Sequence, residues 1–462
     1  MNTEDDDTIY NEILSKIKPT KKQREKIITF SDKLMNIISN YAKSKDIQIT
    51  CKLVGSVAKK TSLVGKADID IFMAFPLDYS EEDLKKYGLE FGKYCIDTVG
   101  GISEKRYASH PYITGLINGF EIDFVPCYNI NDTTYLKSAV DRTILHTNYI
   151  QSHMTSDEAD EVLLLKKFMT CVNTYGANYK VSGFSGYLCE LLILKYHTFE
   201  NVIENAANKW KNQLKIDLEN YGTCNNYHDA LIVIDPVDKN RNVAAALSIQ
   251  KFSEFIVASR NYLKNPSINY FQDKTITTTP SELVKLFKQR GSYCYVLSCN
   301  VPDVPSDVIY PQVNKTLKSL EKVSGIYDFS LLESGYYIDS SNVAHIILEY
   351  DVASLSNVKI HHGPLIYDSK NSDNFRNKYP NAYIHNNKWI SLSNRKYITV
   401  EDMIKNILLE ENMSILKLGK NIKEEVLKDY SFEKMEVFIN NTNDENLNNI
   451  FLYLHPNYRL EH

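Results

Sequence analysis

Residues 67 to 75 read ADIDIFMAF, in which Asp68 and Asp70 alternate with Ile69 and Ile71. A period of two belongs to a β-strand, so both carboxylates leave one face while the isoleucines enter a core on the other. The same pattern returns from residue 119 in GFEIDFVPCYNI, where Asp123 stands between Ile122 and Phe124. A fold built on these segments needs a sheet with one apolar face and one face that carries acids on neighbouring strands. Ahead of them, ITCKLVGS reads as a short strand running into a turn at Gly55 and Ser56. Glycine lets a ligand approach the backbone there, and serine adds a hydroxyl and an amide donor.

Elsewhere the periodicity is helical. Residues 10 to 46 carry apolar positions at helical spacing among many lysines, and EEDLKKYGLEFGKYCIDTV continues the pattern from 81. DEADEVLLLKKFMTCVNTYG, from 157, opens on an acidic turn and ends near a glycine; with SGYLCELLILKYHTF from 185 it makes the middle of the chain mainly helical. From about 266 the segments SYCYVLSCNVPDVP, YYIDSSNVAHIILEYDVAS and KWISLSNRKYITV are rich in aromatic and β-branched residues between turn signals. The expected fold class is α+β. Its domains are expected at 1–145 for a head that carries the carboxylates, 146–265 for a helical centre and 266–459 for a mixed body, with a tail at about 300–395. Leu460, Glu461 and His462 read as the start of a cloning tag and are set aside.

At 462 residues the chain has room for about three domains of ordinary size. Hydrophobic residues make up 43% and charged residues 24%, a globular balance, and no apolar run approaches the ~20 residues of a membrane span. The first residues, MNTEDDDTIY, are acidic and polar, the reverse of a secretory signal, so a cytoplasmic protein with no membrane partner is expected. Cysteines at 51, 95, 127, 171, 189, 224, 294 and 299 form no CxxC pair, and no histidine spacing completes a zinc site, so reduced thiols are expected. Lys and Arg total 53 against 58 acids, a formal charge of -5, so an RNA partner would require a local basic patch.

Three aspartates beside a Gly-Ser turn suit a site that holds divalent metal against a triphosphate. Hard carboxylate oxygens favour Mg²⁺, which commonly bridges one or two carboxylates to substrate phosphates. In a two-metal site one ion activates the attacking hydroxyl and the other steadies the departing oxygen. Asp68, Asp70 and Asp123 are the expected catalytic and metal-binding residues, with Lys59 and Lys60 adding positive charge nearby. Taken alone, an Asp-x-Asp strand after a glycine turn is also the pattern of a strand whose aspartates are merely solvated.

The longer string GSVAKKTSLVGKADIDIFMAFP resembles the Gly-Ser and Asp-x-Asp signature of the DNA polymerase β nucleotidyltransferase superfamily, and the archaeal CCA-adding enzymes most of all. The similarity continues through EIDFVPCY, SAVDRTILHTNYI, TYGANYKVSGFSGYLCELLI and IDPVDKNRNVAAALS, and more weakly through IHHGPLIYDSKNSDNF, so it covers most of the chain. It implies a polymerase β-like head, a helical central domain and a C-terminal α/β body and tail. It also implies template-independent addition and repair of the 3′-terminal CCA of tRNA, using CTP twice and ATP once, with two Mg²⁺ ions and release of pyrophosphate. Nucleotide contacts are implied at Gly55, Ser56, His146, Lys166, Tyr175 and Arg241, the last helping to tell C from A, and at Lys59, where the family usually has arginine. Lys keeps the charge of that arginine and loses its fork.

Each of these residues also has an ordinary reading, as a helix-start histidine, a solvated lysine, a packing tyrosine or a charge after an Asp-Pro turn. Lys166 and Tyr175, about two and a half helical turns apart, are expected on one rim of the pocket. His361, His362, Lys370, Arg376 and Lys378, set among Tyr367, Phe375 and Tyr379, are expected to bind tRNA phosphates and stack on bases, or else to form a solvated face. A homodimer is one assembly open to such an enzyme. Two rival readings are a poly(A) polymerase-like enzyme that uses ATP alone and a noncatalytic RNA-binding protein; three intact aspartates argue against the second.

Overall fold

The computed structural model describes residues 3–65, 68–107 and 111–461. It divides into two compact units, Met1–Lys274 with Arg459–His462, and Thr275–Tyr458. The division expected at 265 falls inside the first unit, which contains both the expected head and the expected helical centre.

The helical spacing of residues 10 to 46 falls in two helices, α1 Thr3–Ile17 and α2 Lys21–Ser44. Pro19 disfavours helical backbone at Lys18. Thr20 then starts the chain afresh: its hydroxyl accepts from the Gln23 amide while the Gln23 side chain accepts from the Thr20 amide. There follow β1 Thr50–Val54, the single turn α3 Gly55–Ala58, β2 Ile69–Phe75, α4 Glu81–Thr98, a hairpin of β3 Ile102–Tyr107 and β4 Pro111–Ile117, and β5 Phe120–Tyr128. The strands make one sheet in the order β1-β2-β5-β4-β3, in which β2 and β5 run parallel and the other pairs antiparallel. One face buries Ile69, Ile71, Met73, Phe75, Ile122 and Phe124 against Leu34 and Ile38 of α2 and Phe91 and Cys95 of α4. The opposite face changes character along its length. Phe72, Ala74, Val125 and Cys127 pack with Ile144 of α5 Arg142–His153, while Asp70 and Asp123, earlier on the same strands, stay partly exposed. The apolar half anchors α5, and the acidic half remains accessible.

The rest of the first unit is built on α6 Ser156–Cys171, α7 Gly186–Tyr196, α8 Phe199–Asn208 and α9 Ile249–Lys264. Phe168 is fully buried among Phe199, Phe255, Tyr262, Tyr270 and Phe271, and its truncation to alanine would cost about 3–5 kcal/mol. This mainly helical region also holds a small sheet of β6 Leu214–Ile216, β7 Leu231–Asp235 and β8 Asp238–Asn242. Leu460, set aside on sequence as part of a tag, is buried in the same core, and its carbonyl accepts from Asn261.

The second unit contains α10 Pro280–Arg290, β9 Tyr293–Asn300, α11 Ser306–Ile326, β10 Leu331–Ile338, β11 Val343–Tyr350, β12 Val358–Leu365, α12 Ser369–Lys378, β13 Tyr383–His385, β14 Lys388–Asn394 and β15 Ser431–Lys434. Its antiparallel sheets run β10-β11-β9-β15 and β12-β14-β13. The fold is α+β throughout. Among the described residues no helix is long and apolar enough to cross a membrane.

Candidate active site

Parallel pairing of β2 with β5 sets Asp70 directly beside Asp123, and Asp68 lies just before β2 on the same alternation. Thr114 of β4, opposite Asp123, donates its hydroxyl to Asp123 Oδ1 at 2.6 Å. Gly55 has a φ of +72°, and a Cβ there would fall 2.1 Å from Asp70 Oδ2, so both backbone and space demand glycine. The carboxylates burden one another. Burial, followed by the charges of Asp123 and Asp68, pushes Asp70 from the usual 3.8 up to about 7, with Lys59 opposing. Burial also raises Asp68 and Asp123, while Arg106, ion-paired with Glu104 and Glu121, pulls both down.

Behind α3 lies a second cluster. Lys59 Nζ reaches Glu190 Oε2 at 2.6 Å, Thr61 donates to Glu190 Oε1 at 2.6 Å, and Lys166 Nζ lies 2.9 Å from the Thr61 carbonyl, 3.2 Å from its hydroxyl and 3.5 Å from Glu190 Oε1. Glu190 is 1% exposed and Lys166 3%. Burial works against the Glu190 carboxylate, yet Lys59 and Lys166 hold it below the usual range, and burial pulls Lys166 down. Lys166 and Tyr175 do not share a helical rim. Helix α6 stops at Cys171, Asn173 turns into left-handed backbone with φ 58°, and Tyr175 pairs with Phe184 in the loop beyond. Both side chains converge all the same: a Cβ on Gly186 would stand 3.1 Å from the Tyr175 hydroxyl and 3.5 Å from Lys166 Nζ.

A third cluster gathers on Asp235, at the end of β7. Its carboxylate takes Arg241 Nη1 at 2.7 Å, His146 Nε2 at 2.8 Å and the Tyr187 hydroxyl at 3.2 Å, and the His146 and Tyr187 rings stack 4.0 Å apart. Burial opposes the Asp235 charge, but the bonds from His146 and Arg241 keep its carboxyl below the usual range. Burial also pulls His146 down, so the ring is neutral near pH 7; because Asp235 can only accept, the proton sits on Nε2 and Nδ1 is left as an acceptor. Lys59 bridges the clusters, with Nζ 5.6 Å from the Tyr187 ring centre. The first unit thus brings Gly55, Ser56, Lys59, Asp70, Asp123, His146, Lys166, Tyr175 and Arg241 into a connected region that also includes Thr61, Thr114, Tyr187, Glu190 and Asp235.

In the second unit, His361 stacks on Phe375 with centroids 5.7 Å apart, Arg376 lies 5.2 Å over Trp389, and Lys378 is 5.6 Å from the Tyr379 ring. His362, Lys370, Arg376 and Lys378 are exposed. At about 100° per residue, Lys370, Arg376 and Lys378 leave α12 in three directions and do not share one face.

Three family models match successive parts of the chain: a nucleotidyltransferase domain over 35–146, the second domain of tRNA nucleotidyltransferase over 160–272, and the CCA-adding enzyme C-terminal domain over 290–434. The CCA-adding enzyme of Methanothermobacter thermautotrophicus is 42% identical over 454 residues, 98% of this chain and 99% of that protein. The chain belongs to the CCA-adding enzyme family. Further relatives from Methanosarcina barkeri and Methanocaldococcus jannaschii, also CCA-adding enzymes, are each 36% identical over 422 residues, covering 90% and 88% of this chain and 91% and 92% of their own length. Membership in the CCA-adding enzyme family makes the chain a tRNA nucleotidyltransferase, and neither the poly(A) polymerase-like nor the noncatalytic reading is favoured.

Proposed function

We propose that this enzyme builds and repairs the 3′-terminal CCA of tRNA, taking CTP twice and ATP once without a template and releasing pyrophosphate at each addition. The observation that carries the reading is the side-by-side pairing of Asp70 and Asp123 at the accessible end of a sheet face, against a glycine turn. Mutually repelling carboxylates there are the hard oxygen donors that Mg²⁺ requires. An ion of this kind commonly takes one or two carboxylates and completes its shell with phosphate and water. Two Mg²⁺ ions held by Asp68, Asp70 and Asp123 would supply positive charge to the attacking 3′ oxygen and the departing pyrophosphate.

The chain's own groups do the rest. Asp123, whose carboxylate is steadied by Thr114, orients the 3′ hydroxyl for attack on the α-phosphorus. Gly55 and Ser56 receive the triphosphate, with Lys59 beside them. Arg241 gives one N–H to Asp235 and, with no other side-chain hydrogen bond shown among the described residues, has further donors for a base edge or a phosphate, and neutral His146 offers an acceptor. Tyr175 and Lys166 close the nucleotide site. A wrong base that leaves such groups unpaired is what makes selection between C and A strong. His362, Lys370, Arg376 and Lys378 contact tRNA phosphates, and the enzyme works in the cytoplasm.

The test is incubation with tRNA lacking CCA and with CTP, ATP or both, in Mg²⁺, followed by sequencing of the product ends. CTP alone should give CC, and both nucleotides CCA and no more. Unlimited extension with ATP alone would replace this reading by the poly(A) one, and no extension under any condition would end it.

A further inference from the structure

Glu190 is the one acid in the helical segment GYLCELLILKY, and it points into the protein, 1% exposed. A carboxylate moved from water to such a place is strongly penalised unless cations and hydrogen bonds satisfy it. Here they do: Lys59 takes Oε2, while Thr61 and Lys166 take Oε1. The arrangement is asymmetric in a way that bears on phosphate binding. An ammonium has three N–H donors. Those of Lys166 match three acceptors, the Thr61 carbonyl, the Thr61 hydroxyl and Glu190, and Lys166 is buried. The Lys59 ammonium, on a side chain 8% exposed, makes one hydrogen bond among the described residues, to Glu190, and keeps two N–H groups. Its side chain follows directly on the Gly55 turn, near enough to Asp70 for its charge to act on that carboxylate.

We infer that Glu190 is a positioning residue that presents Lys59 to the triphosphate, with Thr61 and Lys166 holding Glu190 from the other side. The inference rests on the proposed nucleotide site. Lysine is a flexible point charge, and the carboxylate behind it supplies the orientation that the arginine fork of the resembling enzymes would carry in itself. Thr61 completes the device, since its hydroxyl donates to Glu190 and accepts from Lys166, so that both lysines are set by one buried acid.

The experiment is a double-mutant cycle on the full chain with tRNA lacking CCA, measuring KM and kcat for CTP, alongside direct titration of CTP in the absence of tRNA. Glu190→Gln should raise KM for CTP at least about tenfold while kcat changes less than about threefold, the pattern of lost ground-state binding. In a Lys59→Ala background the same substitution should add almost nothing. Should Glu190→Gln not fold, as judged by circular dichroism, Glu190→Asp keeps the charge, draws it back by one methylene, and runs through the same cycle. An effect of the Glu190 variant as large without Lys59 as with it overturns the inference. A parent enzyme that neither extends tRNA nor binds CTP would instead remove the proposed function beneath it.

Discussion

Replacing Asp70 by asparagine should abolish nucleotide addition and, in metal-free buffer, make the protein more stable. Asp70 lies against Gly55 and beside Asp123, and its carboxyl is raised from 3.8 to about 7. A displacement of that size places its ionised form about 4 kcal/mol above an ordinary aspartate. The sign follows from proton counting. Between pH 4 and 7 the folded chain holds a proton at Asp70 that the unfolded chain has lost, so stability falls as pH rises through that window. Asparagine keeps the shape and removes the charge, so Asp70→Asn should melt higher at pH 8 in EDTA, by about 4–10 °C once local relaxation trims the full penalty. The difference should shrink to about half by pH 5 and close near pH 4. The chain has two tryptophans, and Trp210 belongs to the first unit's core, so fluorescence melts in a Trp389→Phe background report that unit. Adding Mg²⁺ should raise the melting temperature of the parent and leave the variant unmoved. A variant that melts at or below the parent at pH 8, or a difference that ignores pH, would refute the claim that burial beside Asp123 and Asp68 burdens the Asp70 carboxylate.

Asp123→Ala should abolish both C and A addition while the fold, measured by circular dichroism, survives. Arg241→Ala should raise misincorporation between C and A, read by sequencing product ends, with tRNA affinity held within about threefold, because the guanidinium has donors beyond its bond to Asp235; collapse of RNA affinity with selection intact would move it to the RNA surface. Neutralising Lys370, Arg376 and Lys378 together should weaken tRNA binding and flatten its salt dependence by about 0.7–0.9 for each phosphate left without its cation, while CTP binding is unchanged. An unchanged affinity and slope in filter binding across salt would take the tail out of the tRNA site.

The sequence told most where one residue's neighbours in the chain decide its surroundings. Asp68, Asp70 and Asp123 were legible because alternation with isoleucine and phenylalanine fixes which way a strand side chain points. That their strands would be neighbours was expected, but the parallel sense and the register that set Asp70 against Asp123 were not, since α4 and the β3–β4 hairpin lie between the strands and packing far along the chain chooses the pairing. LIVID, a short apolar run closed by an acid, offers too little periodicity to separate a buried strand from a helix, so β7 went unread, and with it the place of Asp235. The spacing of Lys166 and Tyr175 assumed a helix that Asn173 ends, yet tertiary folding returned Tyr175 to the same place by way of Gly186. Glu190 had a signal of a different kind. A single acid inside GYLCELLILKY cannot be buried without a cation, so the segment announced a partner without naming it. That partner is Lys59, a residue the signature motif had already singled out as the odd member of its site. A charged residue out of place in an apolar helix and a lysine where the family usually has arginine are two local anomalies, and each supplies what the other lacks. Reading them as one device follows from the physical rule that a buried charge must be paired, and only the three-dimensional structure could say with whom.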